Sequence, residues 1–449
     1  MLIKFISRCT VITGSKQLQA FNTPRSVSAS VRVFSSLLRE TQSAKLPPRH
    51  QRQPGRPLKH FRCQQVRNLF YSDREGNIHS SVTTAEMEDI KAKVELHVHL
   101  DGSIRPSTLW ELSRQKNIPL PYTDDKELAK ACIAQKPYSL DNFLKSFRLI
   151  VPAIYGDLDA IERISYEFCE DCSAQNIAYS EVRYSPQILT GPMRVNDIKE
   201  NSVTAREVVQ SVNRGLQRGS ADFNVIVRSI LCCIRPFPAW SEDVVDLCAE
   251  FRDSGVVGID LAGNEPTHEH ETDQRHINAF QKAKDLGIHR TVHAGENGPA
   301  AVVKEAIEVL HAERIGHGYH SVDVDSIYQL VRDRNVHIET CPCSSVVTGA
   351  VTEDLTKHPI IRFARDNVNY SISTDDPIIT GKKIDDDYSV VINDMGLTVD
   401  EIIRTNLNAA RSTFLPQTEK QELIERLEKF YSTETNDLKT AAAANITST

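Results

Sequence analysis

The sequence contains no uninterrupted run of about 18 apolar residues, the length that a membrane-spanning helix requires. It has one Cys-x-x-Cys pair, Cys169 and Cys172, and no second pair to complete a four-cysteine zinc knot. No strand-like segment runs into the Gly-x-Gly-x-x-Gly turn of dinucleotide-binding folds. These absences argue against a membrane span, a zinc ribbon and a dinucleotide-binding turn. The ten cysteines are scattered without the pattern of a disulfide framework, which favours a globular protein of a reducing compartment.

Acidic residues are almost missing from the N-terminal part, where residues 1–72 hold thirteen Lys and Arg and the single acid Glu40. The first 39 residues are rich in Ser and Arg, a composition typical of mitochondrial presequences, and the following Pro-rich stretch buries too little apolar surface to fold alone. A basic arm for nucleic acid or anionic lipid, a segment without function and a misassigned start are the alternatives. No patch that regularly interleaves aromatic and basic residues accompanies this arm, so we expect no nucleic-acid partner.

We therefore predict three regions: a disordered or targeting extension over residues 1–90, a catalytic domain over residues 91–431 and a flexible tail over residues 432–449. We expect a cytoplasmic monomer, with mitochondria as the alternative compartment if the extension is a real presequence. A docking partner at the cell surface is not readable from the sequence.

The body of the chain alternates β-rich runs with stretches whose apolar residues recur at helical spacing. Eight such runs follow one another: VELHVHL, IAYSEVRYSP, FNVIVRSILCCI, GVVGIDLAG, HRTVHAGE, ERIGHGYH, NVHIETCPC and NYSISTDDP. This order predicts an α/β fold, a (β/α)8 TIM barrel, with a helical insert over about residues 103–160 between the first two strands. A doubly wound sheet is the runner-up, but the glycine-rich turn expected of it is missing.

The first run places two histidines on one side of a strand, because residues i and i+2 point the same way. His97 and His99 would then face together, although taken alone they fit a half-buried strand with a polar face. The ends of the other runs add polar residues that would meet at one mouth of a barrel: Gly263, Glu265, His293, Glu296, His317, Asp375 and Asp376.

Three imidazoles and one carboxylate form a nitrogen-rich ligand set that suits zinc. Each residue has a structural alternative: His317 fits a turn, Glu296 fits a helix start, and Asp375 with Asp376 fits a helix N-cap ahead of proline. Only their joint occurrence at successive strand ends favours a catalytic site.

The motifs KVELHVHLDGSI, SEVRYSP, RSILCC, IDLAGNE, HRTVHAGE, RIGHGYH, CPCSS and YSISTDDP resemble the adenosine deaminase family of amidohydrolase barrels, in order and from about residue 91 to residue 431. The resemblance implies hydrolytic deamination of adenosine and 2′-deoxyadenosine to inosine or 2′-deoxyinosine and ammonia, within purine salvage and catabolism. It implies one Zn²⁺ per chain, with the following ligands: His97, His99, His293 and Asp375. Glu296 would donate a proton to purine N1, and His317 would orient and deprotonate the attacking water.

The resemblance also assigns substrate contacts. Asp376 would bind purine N7, the backbone amide of Gly263 would reach N3, and Asp101 would accept the ribose 5′-hydroxyl, with His99 also beside the substrate. An apolar lid beside the base would consist of Leu140, Phe143, Leu144 and Phe147, which on periodicity alone also fit the core face of one helix. Cys343 departs from the pattern, since a large aromatic residue is expected there.

Three competing functions remain. A deaminase of AMP or N6-methyl-AMP would have to place a phosphate beside Asp101, which repels it. A two-metal amidohydrolase would need a bridging lysine near the end of the fourth strand, and GIDLAGNE has none. A barrel that only binds adenosine or a partner protein would be expected to lack a ligand or the acid, and all are present.

Overall fold

The computed structural model describes residues 71–72, 78–79, 90, 92–191, 203–266 and 272–446. Two short strands, Tyr71–Ser72 and Ile78–His79, pair antiparallel in a unit of their own. Most of the predicted extension, residues 1–90, lies outside the described residues, so its proposed targeting role stays a prediction.

A parallel eight-stranded barrel forms the body, as the alternating pattern predicts. Its strands are β1 Lys93–His99, β2 Ile177–Tyr184, β3 Ile226–Ile234, β4 Val256–Ala262, β5 His289–Ala294, β6 Arg314–His317, β7 His337–Thr340 and β8 Tyr370–Ile372. Each strand pairs with its neighbour in sequence, and a bridge between Val98 and Asp375 connects the first strand to the end of the last. The (β/α)8 barrel is confirmed.

Helices surround the strands and fill the connection between β1 and β2. The insert contains α1 Pro106–Gln115, α2 Asp125–Cys132, α3 Leu140–Phe143, α4 Phe147–Ile150 and α5 Leu158–Ala174. The next helices are α6 Pro186–Leu189, α7 Ala205–Phe223, α8 Ser241–Glu250, α9 Gln274–Asp285, α10 Ala300–Glu308 and α11 Asp325–Asp333. The last ones are α12 Pro342–Val347, α13 Pro359–Arg365, α14 Pro377–Thr380, α15 Ile384–Asn393, α16 Val399–Ser412 and α17 Gln417–Ile446. The helical insert is thus confirmed.

Helices α5 and α7 pack closely because α7 presents glycines at the contact. A Cβ on Gly215 would lie 2.3 Å from the Glu162 carbonyl, and one on Gly219 would lie 2.7 Å from the Cβ of Cys169. Cys169 lies in this contact, and both Cys169 and Cys172 are buried, as small apolar residues on the face of a helix are.

The barrel strands are buried along almost their whole length, as expected where helices cover a parallel sheet. Among the described residues, no helix is both long and apolar enough to cross a membrane. The carboxyl ends of the strands all open toward one face, and the helical insert after β1 contributes to the pocket there.

Candidate active site

Four nitrogen and oxygen donors from distant parts of the chain meet at the carboxyl end of the barrel. His97 and His99 end β1, His293 lies near the end of β5, and Asp375 follows β8. The Nε2 atoms of His97 and His99 lie 3.3 and 3.4 Å from Asp375 Oδ1, and the Nε2 atoms of His99 and His293 are 3.3 Å apart. All four residues offer a donor atom within 4.8 Å of the others.

Buried carboxylates orient two of these imidazoles. The Nδ1 of His97 lies 2.7 Å from Glu339 Oε2, and the Nδ1 of His293 lies 2.9 Å from Asp260 Oδ2. The hydrogen bond between His97 Nδ1 and Glu339 holds a proton there and leaves Nε2 as a lone-pair donor, and the short contact of His293 Nδ1 with Asp260 orients the second ring in the same way. Both imidazoles therefore direct Nε2 into the cluster.

Arg183 joins the two carboxylates. Its guanidinium donates to Asp260 Oδ2 at 2.9 Å and to Glu339 Oε2 at 2.7 Å, and all three side chains are fully buried. One guanidinium offsets only one of the two carboxylates, and Arg314 supplies a second buried cation, with its Nε 2.7 Å from Glu339 Oε1. The arrangement explains why three charged residues lie inside otherwise apolar strands.

The four donors fit a zinc ion by their chemistry and their surroundings. His97 Nε2 is buried and has no hydrogen-bond partner among the described residues, as expected of an atom that needs a cation. Asp375 accepts a hydrogen bond from Ser344 on Oδ2, at 2.7 Å, which leaves Oδ1 facing the imidazoles. Neutral imidazoles with one carboxylate are a ligand set that zinc prefers.

Two further titratable groups stand beside the cluster. His317 Nε2 lies 3.9 Å from Glu296 Oε2, and both side chains are buried. Burial raises the pKa of the Glu296 carboxyl well above its ordinary value, and the negative charges of Asp375 and Glu265 add to this shift. Burial lowers the pKa of His317 well below its ordinary value, and the neighbouring His97 adds to this shift. Both shifts favour the uncharged forms, a protonated carboxyl beside a neutral imidazole.

The adjacent acids Asp375 and Asp376 lie in different surroundings: Asp375 faces the histidine cluster, and Asp376 lies over Gly102. Asp376 reaches over Gly102, where a Cβ would lie only 1.7 Å from Asp376 Oδ1. The glycine of the HLDGS motif is therefore needed for this approach. Burial, and then the charge of Asp375, raises the pKa of Asp376 well above its ordinary value. Asp101 lies in the same pocket, and burial raises its pKa to about 6.

A cavity of about 300 Å³ opens above these groups and is mostly apolar. All predicted lid residues line it, together with Gly263 at the end of β4: Leu140, Phe143, Leu144 and Phe147. They do not share one continuous helix, because α3 ends at Phe143 and α4 begins at Phe147. The residues are brought together as expected, while their role as a lid remains a prediction.

Four buried partners of the site were not predicted from the sequence: Arg183, Asp260, Glu339 and Ser344. A signal for three of them is present, since VRY, IDL and IET each place one charge inside an apolar strand. Burying an unpaired charge costs folding free energy, so a charged residue inside an apolar strand is expected to have a buried partner of opposite charge. Cys343, which replaces the expected aromatic residue, lies at the start of α12, where its backbone amide donates to Asp387 at 2.8 Å.

Comparisons with known proteins agree with this site. The adenosine deaminase family model matches residues 92–430. An adenosine deaminase of Xenopus tropicalis is 48% identical over 345 residues, which cover 76% of this chain and 96% of that relative.

Two crystal structures share the fold. An adenine deaminase from Arthrobacter aurescens has a TM-score of 0.67 at 25% identity, covering 76% of this chain and 99% of that one. An Arabidopsis N6-mAMP deaminase has a TM-score of 0.65 at 28% identity, with the same coverage of both chains. Because the family model spans most of the chain and close relatives share nearly half of its residues there, the chain belongs to the adenosine deaminase family.

Proposed function

We propose that this protein is a zinc-dependent hydrolase that deaminates adenosine and 2′-deoxyadenosine at purine C6. The products are inosine or 2′-deoxyinosine and ammonia. The observation that carries the proposal is the meeting of four ligand donors, the Glu296 carboxyl and the His317 imidazole in one mostly apolar pocket. The relatives named adenosine deaminase support the choice of substrate.

The residues proposed to hold zinc are His97, His99, His293 and Asp375. Bound there, zinc supplies the Lewis acidity that makes water a nucleophile at neutral pH. The carboxylates Glu339 and Asp260 keep two of the imidazoles in the tautomer that ligation needs.

Glu296 and His317 divide the proton transfers between them. The raised pKa of Glu296 favours its protonated form, and the carboxyl gives this proton to purine N1 as C6 is attacked. His317 is neutral because its pKa is lowered, so it can orient the attacking water and accept a proton from it. Protonation at N1 places positive charge next to C6 and makes that carbon more electrophilic.

Substrate orientation comes from groups on three loops. The raised pKa of Asp376 lets its carboxyl donate a hydrogen bond to N7, and the backbone amide of Gly263 is assigned to N3. Asp101 accepts the ribose 5′-hydroxyl. The apolar lid residues cover the base and exclude water, which strengthens every polar contact beneath them.

Asp101 should select a nucleoside over a nucleotide. A phosphate about 4 Å from the Asp101 carboxylate would be repelled by roughly 4 kcal/mol at an effective dielectric constant near ~20, or about a thousandfold in affinity. We expect the wild-type protein to convert adenosine and to leave AMP nearly untouched. Asp101→Asn should lower kcat/KM for adenosine and reduce the difference between kcat/KM for adenosine and kcat/KM for AMP. Absorbance in the purine band measures both rates.

The matched control is Asp159→Asn, which replaces an exposed aspartate in the first turn of α5 and should leave both activities unchanged.

One solved structure with the same fold is named an N6-mAMP deaminase, so nucleotides are the natural alternative substrates. If the wild-type protein deaminates AMP or N6-methyl-AMP faster than adenosine at equal concentration, the nucleoside assignment is wrong.

The compartment proposed for the enzyme is the cytoplasm, and its proposed state is a monomer acting on small nucleosides. The cysteines within the described ranges are free thiols, and all but Cys343 are buried, which is compatible with a reducing compartment. Mass spectrometry of the mature N-terminus from cells should find the extension intact. Removal of the extension in a mitochondrial fraction would support the alternative, a cleaved presequence.

A further inference from the structure

Glu265, just after β4, makes contacts that the proposed reaction does not use. Its Oε2 atom accepts hydrogen bonds from the backbone amides of Gly295 at 3.0 Å and Gly298 at 2.7 Å. Its Oε1 atom accepts a hydrogen bond from the backbone amide of Glu296 at 2.9 Å. One carboxylate therefore holds three of the four successive residues that follow β5.

Glycine at position 298 permits this close approach. A Cβ there would lie 2.2 Å from Glu265 Oε2 and 3.0 Å from the Glu265 Cβ. Helix α10 begins only at Ala300, with Pro299 as its N-cap. Glu265 therefore clamps the loop itself and does not serve as the N-cap of the following helix.

The loop held in this way carries the proposed proton donor. Glu296 must bring its carboxyl within hydrogen-bond reach of one ring nitrogen, and its backbone lies in a connection rather than in a strand or helix. Hydrogen bonds from amides to an ionised carboxylate are shorter and stronger than neutral ones. Three of them on one side chain fix the backbone from which the acid projects.

We infer that Glu265 is a positioning residue for the reaction, acting through Glu296 by fixing the backbone of residues 295–298. The inference rests on the proposed function, in which Glu296 is the general acid. Glu265 contacts neither substrate nor zinc in this role. A misplacement of about 1 Å at a reacting group can reduce the rate by ~10²-fold, which sets the expected effect.

Glu265→Gln is the sharpest variant because the amide keeps the size of the side chain. Both carboxylate oxygens accept amides, so a glutamine in either orientation turns its NH₂ group toward at least one N–H donor. We expect kcat for adenosine to fall by ~10²-fold, with KM nearly unchanged and zinc still at one per chain. Gly298→Ala should lower kcat in the same way, since the added methyl displaces Glu265 from the loop.

The matched control is Glu207→Gln. Glu207 accepts hydrogen bonds from the backbone amide and hydroxyl of Thr204 at the exposed start of α7, on another part of the barrel. Its loss removes a helix-capping contact of the same chemistry, so kcat should stay at the wild-type value. A kcat for Glu265→Gln that equals that of this control would overturn the inference.

A double-mutant cycle separates positioning from general stability. In a Glu296→Gln background the proton donor is already gone, so adding Glu265→Gln should cost no further activity. If Glu265→Gln lowers kcat by the same factor in the Glu296→Gln background as in the wild type, Glu265 does not act through Glu296 and the inference is wrong. If Glu296→Gln alone keeps wild-type activity, the proposed acid fails and the inference fails with it. If Glu296→Gln is impaired while Glu265→Gln is fully active, only the inference fails.

Discussion

Replacing Glu296 by glutamine should leave a folded, zinc-loaded protein whose turnover of adenosine is lower by ~10²–10⁴-fold, the range typical of a general acid or base. Glutamine keeps the shape of the side chain but has no acidic proton to give to N1. The site supports this expectation because burial raises the pKa of the Glu296 carboxyl well above its ordinary value and so favours the protonated form. Steady-state kinetics, together with metal analysis and a thermal melt, would measure the effect.

His317 should show a loss of similar size by a different route, because it accepts a proton from water. His317→Ala removes the base, and His317→Asn is a useful second variant because asparagine tolerates the backbone φ of +67° at this position better than alanine does. Glu308→Gln, an exposed glutamate at the end of α10, is the control and should be fully active. Loss of zinc or unfolding in Glu296→Gln would mean that Glu296 is a ligand or a structural residue.

His97→Ala should abolish activity by removing one of the four proposed ligands. Substitution of residues that only support metal ligands typically costs ~10–100-fold in metal affinity or activity, so loss of a ligand itself should exceed this range. Purified wild-type protein should contain about one zinc per chain, and chelation should inactivate it. Competition with a zinc-binding dye reports the affinity without depending on catalysis.

The matched control for this experiment is His320→Ala. His320 lies three residues beyond His317 and pairs with Asp323 at 2.7 Å near the surface, outside the four-residue cluster. This variant should retain zinc and activity. Active wild-type protein without bound metal would contradict the ligand assignment.

Much of the barrel and of the ligand cluster could be predicted, because the alternation of residues along each strand and the order of the strands determine which side chains meet. The alternation in VELHVHL places His97 and His99 on one side, and the parallel order of the eight runs brings strand ends to one face. The insert between β1 and β2 could be predicted from its length. The continuity of its helices could not, since the break between α3 and α4 is set by local turns.

Local backbone strain at the site could not be read from the sequence. His317 and Asp375 have φ values of +67° and +68°, a region that residues with a side chain rarely occupy. The surrounding structure fixes these values, through contacts such as the hydrogen bonds of the Asp375 backbone with β1. Positive φ at both residues redirects the chain just where each strand ends, and only the folded barrel determines this.

The contacts of Arg183 and Glu265 were equally hidden, although for another reason. Their partners are distant in sequence: Asp260 and Glu339 for Arg183, and the loop after β5 for Glu265. A charged residue in a strand predicts that some partner exists, but the pairing depends on the three-dimensional arrangement of the strands.

Adenosine turnover in water enriched in heavy oxygen tests the central claim most directly. Purified full-length protein with its zinc should form inosine that carries one heavy oxygen atom at C6 and should release one ammonia for each inosine. Mass spectrometry of the nucleoside and an ammonia assay of the same sample measure both products. Adenosine that stays unchanged with the zinc-loaded protein, or inosine without the heavy oxygen at C6, would contradict hydrolytic deamination at this site.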